Sequence, residues 1–288
     1  IGQAHLWLSQ LTQGDDHFCS ALSYLGWSLP GNQTGLALGL LKEFIVQTAH
    51  RAFPGYFVGK RAEDRSNIEE AYIAYEYIVT RSAVESDTLL SSYCGLRSLN
   101  LAESGKLVTL MARAYTSAGF MCGLIPSFKL AESYFKRAEK LVRQTDSPES
   151  RRWYSLLTGY YSFGIGEIRK AEQYTTLAVK LSEELGKHWE KENALILLLG
   201  IALFTGDWKR SLELKDSIVD SASERGDEGF LAAALYWEAT INLNRGEMDG
   251  VIDLLEQSSV APDEVMMVFD WLILRSSLAR TRIYQGEM

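Results

Sequence analysis

Five prolines and three cysteines in 288 residues are few, and each shortage excludes something. Proline costs ~3 kcal/mol inside a helix, so its scarcity beside abundant Leu, Ala, Glu and Lys favours long uninterrupted helices. Cys19, Cys94 and Cys122 are odd in number and far apart, with no CxxC among them. That spacing indicates neither a disulfide framework nor a zinc site, and a reducing cytoplasm fits. The longest apolar run, 194–204, contains Gly200 and is about half of the ~20 residues a membrane span requires. No signal-peptide pattern opens the chain. No stretch sustains period-two alternation, so no sheet is expected.

Cations are also short: Lys and Arg number 29 against 37 Asp and Glu, a net charge of −8. A surface that tracks nucleic-acid phosphates needs clustered Lys and Arg, so no nucleic-acid partner is expected. The usual catalytic signatures are missing as well. The run from Gly55 to Arg61 has the wrong spacing for a phosphate loop and lacks its Mg²⁺-ligating hydroxyl. The run from Gly164 to Arg169 fails a dinucleotide fingerprint at the third glycine. His5, His17, His50 and His188 are isolated, with no HExxH and no acids at metal spacing. Glu183 and Glu184 are adjacent, so on a helix they point about 100° apart. No G-x-S-x-G elbow occurs. Asn32-Gln33-Thr34 matches a glycosylation acceptor, a three-residue pattern expected by chance. The expectation is a chain with no catalytic residues, cofactor or metal.

What the sequence does contain is a recurring turn. Gly166-Glu167-Ile168, Gly206-Asp207-Trp208, Gly246-Glu247-Met248 and Gly286-Glu287-Met288 each read glycine, acid, large apolar residue, and the glycines are 40 residues apart. A fixed period in the range of about 20–50 residues is the mark of a solenoid, whose repeats are buried only by their neighbours. The segments after the turns repeat too: Ala131, Tyr134 and Ala138 return as Ala171, Tyr174 and Ala178, with Ser91 and Ser98 before them and Ser211 and Ile218 after. Ala131 and Ala138 are two helical turns apart and share a face, where small side chains admit a neighbouring backbone. Gly119 and Gly159, with Ala239 and Ala279 at the same register, extend the ladder.

Helices are expected at 3–12 and 15–27, separated by Gly14, and at 33–53, which Pro54 and Gly55 end. The third is apolar all round, which predicts deep burial or contact with a further domain. Residues 56–60 read as a linker, so an N-terminal segment 1–60 precedes a repeat region 61–288. Paired helices are placed at 61–84 and 87–104, 107–121 and 127–145, 148–164 and 167–185, 188–204 and 207–225, 228–244 and 247–258, with a last helix at 263–284. Ser147-Pro148 and Ala261-Pro262 read as helix starts, and Gly186 and Gly226 as left-handed helix ends. Beginning at Ile1 and stopping just after a turn, the chain is expected to be a piece of a longer protein.

The ladder Gly119–Ala131–Ala138 and Gly159–Ala171–Ala178, with Phe135 between, resembles the tetratricopeptide repeat (TPR), lengthened from the usual 34 residues to 40. The resemblance implies an all-α, right-handed α-solenoid of TPR-like hairpins whose first helices line a concave groove. In that register Arg113, Trp153, Tyr160, Asn193, Tyr236 and Asn244 face the groove and form the candidate partner-binding set. A second resemblance covers residues 1–185. Ala21-Leu22-Ser23-Tyr24-Leu25-Gly26-Trp27-Ser28-Leu29-Pro30, then His50-Arg51-Ala52-Phe53-Pro54, then Leu96-Arg97-Ser98-Leu99-Asn100-Leu101-Ala102-Glu103 and Ala131-Glu132-Ser133-Tyr134-Phe135 follow in an order similar to one known region. That region is the helical one after the AAA-type ATPase module in soluble adenylyl cyclase-type proteins and related predicted ATPases. It implies a regulatory or scaffolding arm contacting a protein, a peptide or other domains of the same parent. The C-terminal third resembles equally the solenoid of STAND-type, maltose-activator-like transcription regulators, which implies small-molecule sensing as the alternative. An enzyme would need titratable residues gathered from several helices, which the sequence does not suggest.

Overall fold

The computed structural model describes residues 11–84 and 87–258. Among them every regular element is helical. The α-helices are α1 (Leu11–Tyr24), α2 (Gln33–Ala52), the single turn α3 (Pro54–Phe57), α4 (Arg65–Val84), α5 (Thr88–Gly105), α6 (Val108–Leu124), α7 (Phe128–Gln144), α8 (Pro148–Gly164), α9 (Ile168–Glu184), α10 (His188–Thr205), α11 (Trp208–Arg225), α12 (Glu228–Arg245) and α13 (Val251–Ser258). A 3₁₀ turn, Ala62–Asp64, precedes α4. The expected helices at 3–12 and 263–284, the start at Pro262, Ala279 and the turn at Gly286 lie wholly or mostly outside the described residues.

The recurring turn ends one helix and starts the next. Gly206 follows α10 with φ +77°, a left-handed conformation that costs little only without a Cβ. Its N–H and that of Asp207 both bond the Ala202 carbonyl. Asp207 then accepts from the Arg210 N–H at 3.1 Å and caps α11. Asp227 caps α12 in the same way, accepting from Phe230 N–H. Gly then acid is therefore a helix stop followed by a helix start. After α5 the left-handed position falls to Lys106, φ +52°, the one non-glycine with positive φ among the described residues. Lys106→Gly is expected to raise the unfolding free energy by about 1 kcal/mol, read as a shift in urea midpoint at constant slope.

Among the described residues, those up to Tyr161 form one compact unit and those from Ser162 a second. In the first, α1 packs on α4, α2 on α5, α4 on α5, α5 on α6 and α6 on α7. Its core gathers Leu22, Ile68, Ala71, Tyr75, Ile78, Cys94 and Leu101, among others. Tyr75 Oη donates to the Trp27 carbonyl at 2.6 Å, fixing the Trp27–Pro30 corner on α4. In the second unit α9 through α13 each pack on the next, around Leu199, Ile218, Ala222, Phe230 and Ala234 and then Ala239, Val251 and Leu255. The small residues are at the contacts: Ala131, Ala138, Ala171, Ala178 and Ser211 are fully buried. The Phe135 ring lies about where a Gly119 methyl would fall, 3.0 Å away.

Three local expectations change. Gly14 does not divide two helices; α1 runs through it, since glycine weakens a helix by about 1 kcal/mol without stopping it. Residues 56–60 are no loose linker: Gly59 N–H bonds Glu103 O and Arg61 N–H bonds Ser104 O, both at 2.9 Å, tying the stretch to the end of α5. Helix α2, apolar all round in sequence, is buried on one face only: Leu36, Glu43, Gln47 and His50 face in, while Leu38, Leu41, Phe44 and Ile45 face out.

Candidate functional site

Glu43, Gln47 and His50 recur at four and three residues, so α2 presents them on one face. All three are buried, Glu43 to 1% exposure. The face meets α5, whose Arg97, Asn100 and Glu103 recur at three residues. Arg97 Nη1 pairs with Glu43 Oε1. Asn100 Nδ2 donates to the other Glu43 oxygen at 2.8 Å and to the Glu43 carbonyl at 2.9 Å. His50 Nδ1 meets Glu103 Oε2 at 2.7 Å, and Glu103 Oε1 accepts from Tyr115 Oη of α6 at 2.5 Å. Gln47 Nε2 donates to Tyr134 Oη of α7 at 3.4 Å, and the Arg51 guanidinium lies 4.8 Å above the Tyr134 ring. At the near end Arg61 and Arg97 both stand over Trp27, at 4.5 and 5.0 Å.

The electrostatics suit a closed clamp. Burial opposes the Arg97 charge, but Glu43, Tyr75 and Tyr93 together outweigh it and raise its pKa, so the guanidinium stays charged. Burial, then the Glu103 carboxylate, pushes the Tyr115 hydroxyl well above its ordinary range, which keeps it a donor. Glu103 is 1% exposed, and each of its oxygens holds one partner. The buried Gln47 Oε1 and Asn100 Oδ1 have no hydrogen-bond partner. The cluster fastens α2 to α5 and α7, with α6 joined through Glu103.

The opposite face of α2 is open. Leu38, Leu41, Phe44 and Ile45 are each more than half exposed, as are Phe53 and Tyr56 just beyond the helix. Full burial of such a side chain is worth about 1.5–3 kcal/mol, so these six withhold on the order of 7 kcal/mol before the cost of association. Single exposed apolar residues are ordinary; a contiguous stripe along one helix marks an interaction surface. Asn32, the chance glycosylation match, has a structural role: its Oδ1 accepts from Gly35 N–H at 2.7 Å and caps α2.

The residues assigned to a groove divide between the two units. In the first, Arg113 pairs with Glu76 of α4, Ser117 Oγ donates to the Arg113 carbonyl, and Trp153 Nε1 donates to Ser117 Oγ at 2.9 Å. This polar chain links α4, α6 and α8. Burial raises the Glu76 pKa, with Arg113 acting against it. Tyr160 lies 6.1 Å from the Phe120 ring. In the second unit Asn193 and Asn244 each donate to a carbonyl of their own helix at 2.8 Å. Tyr236 is buried, 5% exposed, edge-on to Trp237. Arg113 and Trp153 are thus brought together and Tyr236 is a packing residue. The sequence reading missed the clamp, although the 43, 47, 50 spacing carried its signal.

Among the described residues no group of three or more His, Cys, Asp or Glu could hold a metal, and no helix is long and apolar enough to cross a membrane. A depression of about 480 Å³ at the Gly166–Lys170 turn is lined by no aromatic ring. The fold and the clamp define a class no narrower than an all-helical protein of consecutively packed helices. No family model matches the chain, and no curated protein matches it significantly.

Proposed function

We propose that this chain is a non-catalytic scaffold that binds another protein, or another domain of its own parent, and that its helices stack as TPR-like hairpins in a right-handed solenoid. The helix starts support the stacking: Val108, Pro148, His188 and Glu228 step by 40, as do Thr88, Phe128, Ile168 and Trp208. The buried alanines at the matching register agree with it. The functional half of the reading is carried by one observation, the exposed apolar face of α2. A helix that buries two carboxylate-bearing contacts and leaves Leu38, Leu41, Phe44 and Ile45 in water is oriented for something that covers it. Arg97, Asn100 and Glu103, within the stretch that resembles the helical arm of cyclase- and ATPase-containing signalling proteins, are the residues that hold α2 this way. A regulatory arm of such a parent is the setting this favours.

Phe44→Ser with Ile45→Ser tests the surface. The unfolding free energy is expected to stay within about 0.5 kcal/mol of the parent chain, as at other surface sites, while binding of an environment-sensitive apolar dye falls. A loss of about 2 kcal/mol or more per residue, the cost of a truncated core side chain, would mean that the face is already covered and would end this reading.

A further inference from the structure

Leu38, Leu41, Ile45, Thr48 and Ala52 follow one another at three, four, three and four residues, and all are exposed. That alternation is the a/d seam of a coiled coil, the pattern that accepts the knobs of another helix. Sheets and loops present no such period. From Leu38 to Ala52, α2 offers about 21 Å of seam. It is held rigidly from behind by the Glu43 and Glu103 contacts, so little ordering cost falls on this side.

Charge narrows the occupant. The chain as a whole carries −8, yet from Gly31 to Lys60 three cations, Lys42, Arg51 and Lys60, stand against one acid. That acid, Glu43, is buried and paired with Arg97. Lys42 is exposed at the e position beside Leu38 and Ile45, and Lys60 lies over the Tyr56 ring. Arg51 is turned inward over Tyr134, so the exposed charge beside the seam is Lys42, with Lys60 beyond the helix end. A second copy brings no exposed acid from its own α2 to meet Lys42, because Glu43, the one acid of that helix, is buried. An anionic bilayer would have to draw in the whole net-negative chain, whereas a single helix meets α2 alone.

We propose that the outer face of α2 receives an amphipathic helix whose apolar seam is flanked by acidic side chains. The proposal rests on the scaffold reading and adds the chemistry of the partner. The seam supplies the affinity, and Lys42 with Lys60 sets the charge preference.

Two fluorescein-labelled 21-residue helical peptides test it on the whole chain by anisotropy. Both carry Leu at a and d; one has Glu at e and g, the other Lys. The Glu peptide is expected to bind at least tenfold more tightly, against the repulsion of the chain's net charge. The preference should shrink to threefold or less in Lys42→Glu. Leu41→Glu with Ile45→Glu should weaken binding more than twentyfold while the melting temperature stays unchanged. Equal affinities for the two peptides would overturn the proposal, as would binding indifferent to Leu41 and Ile45. A chain dimer in sedimentation velocity that dissolves in Ile45→Glu, or partition onto phosphatidylserine vesicles lost in the same variant, would also overturn it by naming another occupant. Failure of the peptides while the dye and stability results hold would remove the acidic helix and leave the surface standing; failure of those results would remove both.

Discussion

Glu103→Ala is expected to lower the unfolding free energy by about 3–5 kcal/mol, the cost of removing the shared acceptor of two buried hydrogen bonds to a carboxylate. Glu103 is 1% exposed and its two oxygens hold His50 and Tyr115. Alanine strands both donors, on two different helices, where water does not reach them. At roughly 2–4 °C per kcal/mol for a chain of this size, the melting temperature should fall by roughly 10 °C. Glu103→Gln keeps an acceptor for Tyr115 and should cost less. Replacing both sides of one contact, Glu103→Leu with His50→Phe, leaves only the Tyr115 hydroxyl stranded and should recover about half of the loss. A double replacement as damaging as Glu103→Ala would show that the contact does more than satisfy its own members.

The same substitution at two glycines should act in opposite directions. A methyl on Gly123 would fall 2.6 and 2.8 Å from the Tyr161 ring. That ring is buried and 4.9 Å from Phe135, so it cannot swing aside. Alanine is the better helix former by about 1 kcal/mol, but forcing atoms into a packed contact costs about 1–3 kcal/mol. Gly123→Ala is expected to destabilise by about 1 kcal/mol net. A methyl on Gly200, inside α10, meets nothing within 4 Å. There the helical preference stands alone, and Gly200→Ala should stabilise by about 0.5–1 kcal/mol. Chemical denaturation of both variants at constant slope checks the pair. Two gains would mean that the Tyr161 ring does not lie against Gly123.

Local chemistry was legible in the sequence, long-range pairing was not. Gly206 and Asp207 act within one turn, so their pattern shows directly as a helix stop and start. Ala131 and Ala138 share a face by spacing alone, and their burial follows. For helix α2 the sequence left deep burial and contact with a further domain open, and only deep burial is excluded, because apolarity measures the wish to be covered and not the coverer. Leu38, Leu41 and Ile45 read as core by composition, yet the side turned inward is the one whose Glu43 and His50 find Arg97 and Glu103, 53 and 54 residues away. Nothing local says that those partners will arrive. The groove set mixed the two cases: Arg113 and Trp153 found neighbouring helices, while Asn193 and Asn244 bonded their own backbones.

Hydroxyl-radical footprinting of the isolated chain reads the two faces of α2 side chain by side chain. Leu41, Phe44, Phe53 and Tyr56 should be oxidised at the rates of exposed residues, while His50 and Tyr115 stay protected. Protection of Phe44 with oxidation of His50 would place the apolar face inward and contradict the account at its centre.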